Sequence, residues 1–188
     1  MSRRLVMVVV GIGAMAFALA GCFGNGTTAT NTGVAGQPGA GLYRTLGDDG
    51  GACTITRTDA SGTPHTFSNL TGGPIYLRVK PDDKSVTSTH CKLWQLAGLV
   101  PPVIEVPFRS GDYRVGYEVQ PGTYQASGTS GGADCTYGVV SDFEHDGTDG
   151  TPTTVPQPVN GPKPTIIATI QKTDFGFWSQ NCGSWTKQ

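Results

Sequence analysis

The chain has 188 residues, of which 28 are Gly and 13 are Pro, a density that leaves little room for long helices. Lys and Arg number 13 against 14 Asp and Glu, for a formal charge of −1. Charge therefore gives neither nucleic acid nor an anionic lipid surface a reason to bind.

The first element is a secretory signal. Arg3 and Arg4 precede an apolar run from Leu5 to Leu19, about 15 residues and short of the roughly 18 needed for a spanning helix. The run ends in Leu19-Ala20-Gly21-Cys22, which resembles the bacterial lipobox. The resemblance implies removal of residues 1–21 and a diacylglyceryl thioether on Cys22, with palmitate-type chains. The implied partner is the membrane, reached through the lipid anchor at the outer face of the cytoplasmic membrane. Two or three chains hold stably, at ~0.8 kcal/mol per buried CH₂. Loss of Arg3 and Arg4 leaves 11 basic residues against 14 acidic ones, a mature charge of −3. The rest of segment 22–40 is uncharged and rich in Gly, Thr, Asn and Ala. It is read as a flexible tether, with too little apolar surface to offset its conformational entropy.

From Gly41 onward the pattern is strand and turn. Ile75, Leu77 and Val79 alternate with Tyr76, Arg78 and Lys80, and Ile104, Val106 and Phe108 alternate likewise. Tyr113 to Val119 reads as another alternating strand. Period two buries one face of a strand and wets the other. Only Lys92 to Ala97 has the composition of a short helix, and His90 reads as a strand residue. The expected fold class is all-β and sandwich-like.

An internal repeat organises this region. Gly41-Leu42-Tyr43-Arg44 aligns with Gly122-Thr123-Tyr124-Gln125, and Gly47 to Thr54 with Gly128 to Thr136 after one insertion. Further on, Gly73-Pro74, Val79, Asp83, Ser88, Cys91 and Trp94 meet Gly161-Pro162, Ile170, Asp174, Ser179, Cys182 and Trp185. The expected domains are therefore a first β repeat over 41–95, a linker or edge strand over 96–110, and a second β repeat over 111–188. Each repeat holds one early and one late cysteine, which favours disulfides Cys53–Cys91 and Cys135–Cys182 among the three pairings of four cysteines. Export supplies the oxidising compartment. A zinc site is the rival reading, but no CxxC spacing supports it.

Gly111-Asp112-Tyr113-Arg114-Val115-Gly116, then Pro121-Gly122-Thr123-Tyr124, and the ending Thr173-Asp174-Phe175-Gly176-Phe177-Trp178-Ser179-Gln180-Asn181-Cys182-Gly183-Ser184-Trp185 carry a further likeness. They resemble a domain of uncharacterised lipoproteins and secreted proteins of actinobacteria. The resemblance implies an envelope location and transfers no catalytic residue.

Candidate chemistry is sparse. Gly128-Thr129-Ser130-Gly131-Gly132 fits G-x-S-x-G, yet a strand follows where a nucleophile elbow needs a helix. Asp142, Glu144 and Asp146, with Gly147 next and Asp149 near, have the spacing that opens a calcium loop, although Thr153 stands where a bidentate Glu belongs. Calcium is the one cofactor candidate. His65, His90 and His145 share no metal-ligand spacing. Trp94, Trp178 and Trp185 are candidate binding aromatics, with burial beside the disulfides as the competing role. P-loop, dinucleotide and HExxH motifs are absent from the sequence. The expected function is a non-catalytic, membrane-anchored binding module of the envelope, whose partner is an envelope protein or a cell-wall glycan. A cell-wall hydrolase using Asp142, Glu144 or His145, and a prophage superinfection-exclusion lipoprotein, are the alternatives.

Overall fold

The computed structural model describes residues 39–47, 52–69, 73–92, 94–102, 106–126, 128, 132–147, 150–158 and 160–188. The expected signal peptide, Cys22 and nearly all of the expected tether lie outside them. Among the described residues the protein is all-β. The first six strands are β1 (Gly41–Leu46), β2 (Cys53–Thr58), β3 (Pro64–Asn69), β4 (Pro74–Val79), β5 (Ser85–Thr89) and β6 (Gln95–Leu96). The next six are β7 (Phe108–Arg114), β8 (Gly122–Ala126), β9 (Cys135–Val140), β10 (Thr153–Val155), β11 (Ile166–Ile170) and β12 (Gly176–Lys187).

The first unit has two antiparallel three-stranded layers, ordered β4-β1-β6 and β3-β2-β5. The second unit has the same pairings with one economy. Its long last strand, β12, serves both layers, pairing with β9 through Gly176–Gln180 and with β8 through Trp185–Lys187. In the first unit these roles are divided between β5 and β6. The equivalence reaches single hydrogen bonds. Tyr43 and Tyr124 each donate the hydroxyl to a carbonyl four residues back, at 2.8 and 2.7 Å. Trp94 and Trp185 each donate the indole N–H to Ser88 and Ser179, at 3.2 and 3.0 Å. Asp83 and Asp174 each accept the N–H three residues before them, both at 2.7 Å.

Both disulfides join the cysteines that the repeat pairs. Cys53 bonds Cys91 with Cα atoms 4.6 Å apart, and Cys135 bonds Cys182 with Cα atoms 4.5 Å apart. Each closes a loop at the corner where the chain passes between layers, worth ~4 kcal/mol through the entropy of the unfolded chain. The corner residues His90 and Asn181 take left-handed backbone angles, φ 55° and 57°. His90 is thus an exposed corner residue, where alternation alone suggests a strand.

Two other expectations change. The alternating strand expected to run to Val119 stops at Arg114. There the Arg114 carbonyl accepts N–H groups from Tyr117, Glu118 and Val119, and the Glu118 carboxylate accepts the Arg114 N–H at 3.1 Å. The short helix expected over Lys92 to Ala97 is replaced by β6 and a 3₁₀ turn at Ala97–Leu99. The open side of β1 supplies backbone partners for Gln95 and Leu96, and a sheet edge left unpaired is costly.

Three hydrophobic clusters form. One fills the first unit around Ile55, Ile75 and Leu77. One fills the second around Phe108, Tyr124, Phe177 and Trp185. The third lies between units and contains Tyr76, Ala97, Val140 and Phe143, with Leu42, Phe175 and Trp178 against it. Period two in β4 explains this division. Ile75, Leu77 and Val79 face the first unit's interior, so Tyr76 must face the second unit, and all four are buried. Gly73 permits the close crossing of β4 and β7, because a Cβ there would lie 2.0 Å from the Ser110 carbonyl oxygen.

Candidate functional site

The segment Asp142–Asp146 leaves β9 and runs along the free edge of β4. Phe143 accepts the Arg78 N–H through its carbonyl at 2.7 Å. His145 donates Nε2–H toward the Tyr76 carbonyl at 2.9 Å, with Asp112 Oδ2 at 3.2 Å. The same Asp112 oxygen accepts the Tyr76 N–H at 2.9 Å. An edge strand that would invite pairing with another chain is thereby covered.

The acidic residues of this segment each meet a different cation of the first unit. Asp142 takes Arg78 at 2.9 Å, Glu144 takes Lys80, and Asp146 lies 3.7 Å from Arg57. They diverge along the segment, and among the described residues no three His, Cys, Asp or Glu side chains are grouped to hold a metal ion. Asp149 lies outside the described residues. Asp142 and Glu144 are each paired with a cation, Arg78 and Lys80, and His145 meets the Tyr76 carbonyl and Asp112. Ser130 of the G-x-S-x-G phrase also lies outside the described residues.

Behind the segment a cleft of about 610 Å³ opens between the units, a size typical of small-molecule sites. Its floor comes from one face of the second sheet. Trp178 on β12 lies directly opposite Asp112 on β7 and opposite Gly138 on β9. Side chains directly opposite on neighbouring strands share a face. Gln180 is two residues on from Trp178 and so shares that face. Gly176 occupies the same row and makes room for Phe143, whose ring lies 2.2 Å from where a Cβ would be. The opposite wall is β3 of the first unit, from Thr66 to Asn69. Phe67 there stacks on the His145 ring with centroids 3.9 Å apart and planes 13° from parallel. Gln180 Nε2 donates to the Ser68 carbonyl at 3.3 Å and ties floor to wall.

The three tryptophans separate by position. Trp178 is partly exposed and lines the cleft. Trp94 is partly buried against the first core. Trp185 is completely buried, packed against Phe108, Tyr137 and Phe177, so it presents no surface to a ligand and its candidacy as a binding aromatic is withdrawn. Asp112 and Gln180 did not stand out in the sequence. The available signal was that both lie in register with Trp178 on the face opposite Phe177 and Ser179.

On the other side of β4, Arg44 Nε donates to Glu118 Oε1 at 2.7 Å. Tyr76 beside them is 1% exposed. Burial first, and then the Glu118 carboxylate, push its hydroxyl well above the ordinary value of 10. A group held protonated in this way contributes stability that is complete below its unfolded pKa and is lost as pH rises through the folded one. Tyr76→Phe is therefore expected to flatten the fall in melting temperature above about pH 10, measured by thermal melts across pH 8–12. An unchanged slope would remove Tyr76 from the alkaline transition.

Fold and cleft together define a double, disulfide-stapled β module with its recess at the junction of the units. Residues 105–186, which take in β7 and nearly all of the second unit, match the model of the Rv1352-like extracellular domain family. That part of the chain is thus similar to an extracellular domain family, and two disulfides in so small a protein fit such a setting. No curated protein and no solved structure matches the chain. No helix among the described residues is long and apolar enough to cross a membrane.

Proposed function

We propose that the protein is a non-catalytic binding module, tethered by lipid on Cys22 to the outer face of the membrane, whose ligand site is the cleft between the units. The observation that carries this reading is the cleft itself, a recess with an aromatic floor and a few fixed polar groups, the usual composition of a ligand site. The polar groups around it are supported from both sides. Asp112 and His145 are held by the β4 backbone, and Gln180 by β3. Such fixation favours recognition, because little ordering cost remains at binding. The anchor reading is supported by Leu19-Ala20-Gly21-Cys22.

The anchor is tested by growing expressing cells with an alkyne-bearing fatty acid and reading label on the purified protein. Label on the wild type and none on Cys22→Ala is expected. Equal label on both would refute the anchor. The binding role is tested by crosslinking intact cells and identifying what the protein captures, with Cys22→Ala as the unanchored control. Loss of the captured species on Trp178→Ala would tie it to the cleft, whereas capture that persists in this variant would place binding elsewhere.

A further inference from the structure

We infer that the cleft takes a neutral saccharide, a reading that rests on the cleft being the ligand site. Four observations lead there. Among the described residues, the lining contains Trp178, Phe67, Phe143 and the imidazole of His145, and no Lys or Arg. A phosphate or carboxylate ligand would find no guanidinium or ammonium group among them. Among the described residues of the lining, two carbonyl-type oxygens are left open as acceptors. Asp112 uses Oδ2 for both of its hydrogen bonds, which leaves Oδ1. Gln180 uses its Nε2 on Ser68, which leaves Oε1. Acceptors around an aromatic surface suit a ligand with many hydroxyl donors and an apolar C–H face. Finally, the chemistry belongs to the second unit alone. The positions equivalent to Trp178, Gly138 and Gln180 in the first unit are Thr87, Thr56 and Thr89, and no described strand lies beside them where β7 lies in the second.

The ligand seats its C–H face on Trp178, with hydroxyls donating to Asp112 Oδ1 and Gln180 Oε1. Gly138 keeps the floor beside the indole low, since a Cβ there would stand 3.2 Å from Trp178 Nε1.

The experiment uses the mature chain with both disulfides intact. Neutral mono- to tetrasaccharides of glucose, galactose, mannose, arabinose and N-acetylglucosamine are titrated to ~10 mM, a range that covers weak ligands, into ¹⁵N-labelled protein. The Trp178 indole N–H signal, assigned by its loss in Trp178→Phe, is followed. Saturable movement of that signal with at least one saccharide is the expected result. Binding at least tenfold weaker in Gln180→Ala and in Trp178→Ala, and unchanged in Thr87→Ala, is expected alongside it. Melting temperatures of the variants identify any loss due to misfolding, and the wild-type signal is informative without any variant. If no saccharide moves it, the inference is overturned. If choline or another small amine moves it instead, the saccharide class fails while the cleft stands. If a saccharide binds but spares Trp178 and Gln180, the cleft itself fails as the site.

Discussion

Asp83→Asn is expected to destabilise the protein by about 3 kcal/mol, the lower end for breaking a buried ion pair, and to lower the melting temperature by on the order of 10 °C. Arg57 sits on the inward row of β2, after Cys53 and Ile55, and its side chain is 1% exposed, against 2% for Asp83. The pair meets at 3.3 Å, and Asp146 from the second unit approaches the other guanidinium nitrogen at 3.7 Å. Arg57 Nε has no partner among the described residues. Asn at position 83 keeps an acceptor for the Lys80 N–H, so the variant chiefly removes the compensating charge. The double variant Arg57→Met/Asp83→Asn should then recover at least half of the loss, because a buried pair replaced by apolar volume is often nearly neutral. Denaturant melts of the four proteins give the coupling. A cost below ~1 kcal/mol for Asp83→Asn, as found for exposed pairs, would show that solvent reaches this site.

Trp185→Ala is expected to cost about 3–5 kcal/mol, the range for deleting a large buried aromatic. Trp185 has no exposed surface, and its indole donates to Ser179, itself 3% exposed. The variant therefore opens a cavity beneath Phe108 and Phe177 and strips a buried hydroxyl of its donor. Trp94→Ala removes the equivalent residue of the first unit, which is only partly buried, and should cost roughly half as much, since the transfer term scales with buried area. Equal losses in urea melts would contradict the difference in burial. A loss under 1 kcal/mol for Trp185→Ala would contradict the packing itself.

The two tryptophans show why the fold was legible in the sequence. Repeats preserve the spacing of the cysteine, of the tryptophan three residues later, and of the serine that receives its indole N–H. Two copies of one pattern thus fix both disulfides without any knowledge of the third dimension. Period two in β4 placed that strand for the same reason, since alternation is a local property. The errors fall where a hydrogen bond outside the alternating pattern overrides it, once from a strand distant in sequence and once from a side chain four residues away. Gln95 and Leu96 extend because β1 has a vacant edge, and Val115 to Val119 turn because the Glu118 carboxylate returns to the Arg114 N–H.

The candidate site was much less legible. Trp178 was named from composition alone, together with Trp94 and Trp185, and only burial separates the three. Asp112 reads as an outward residue of an alternating strand until β4 is laid across it. The spacing of Asp142, Glu144 and Asp146 resembles a cation loop, but Arg57, Arg78 and Lys80, which they meet, are more than 60 residues away in sequence. Long-range charge pairing leaves no periodic trace.

Each disulfide closes within its own unit, Cys53 to Cys91 and Cys135 to Cys182. Neither bond crosses the chain between Cys91 and Cys135. A single peptide-bond cut near Pro101-Pro102 would therefore yield two fragments with no covalent link, joined by noncovalent contacts alone, among them the buried seam around Tyr76 and Phe143, the ion pairs of residues 142–146, the Arg44–Glu118 pair and the Gln180–Ser68 hydrogen bond. The molecule is severable in a way that interlocked disulfide scaffolds are not. Whether its halves stay together after such a cut is decided by the noncovalent seam that also frames the cleft.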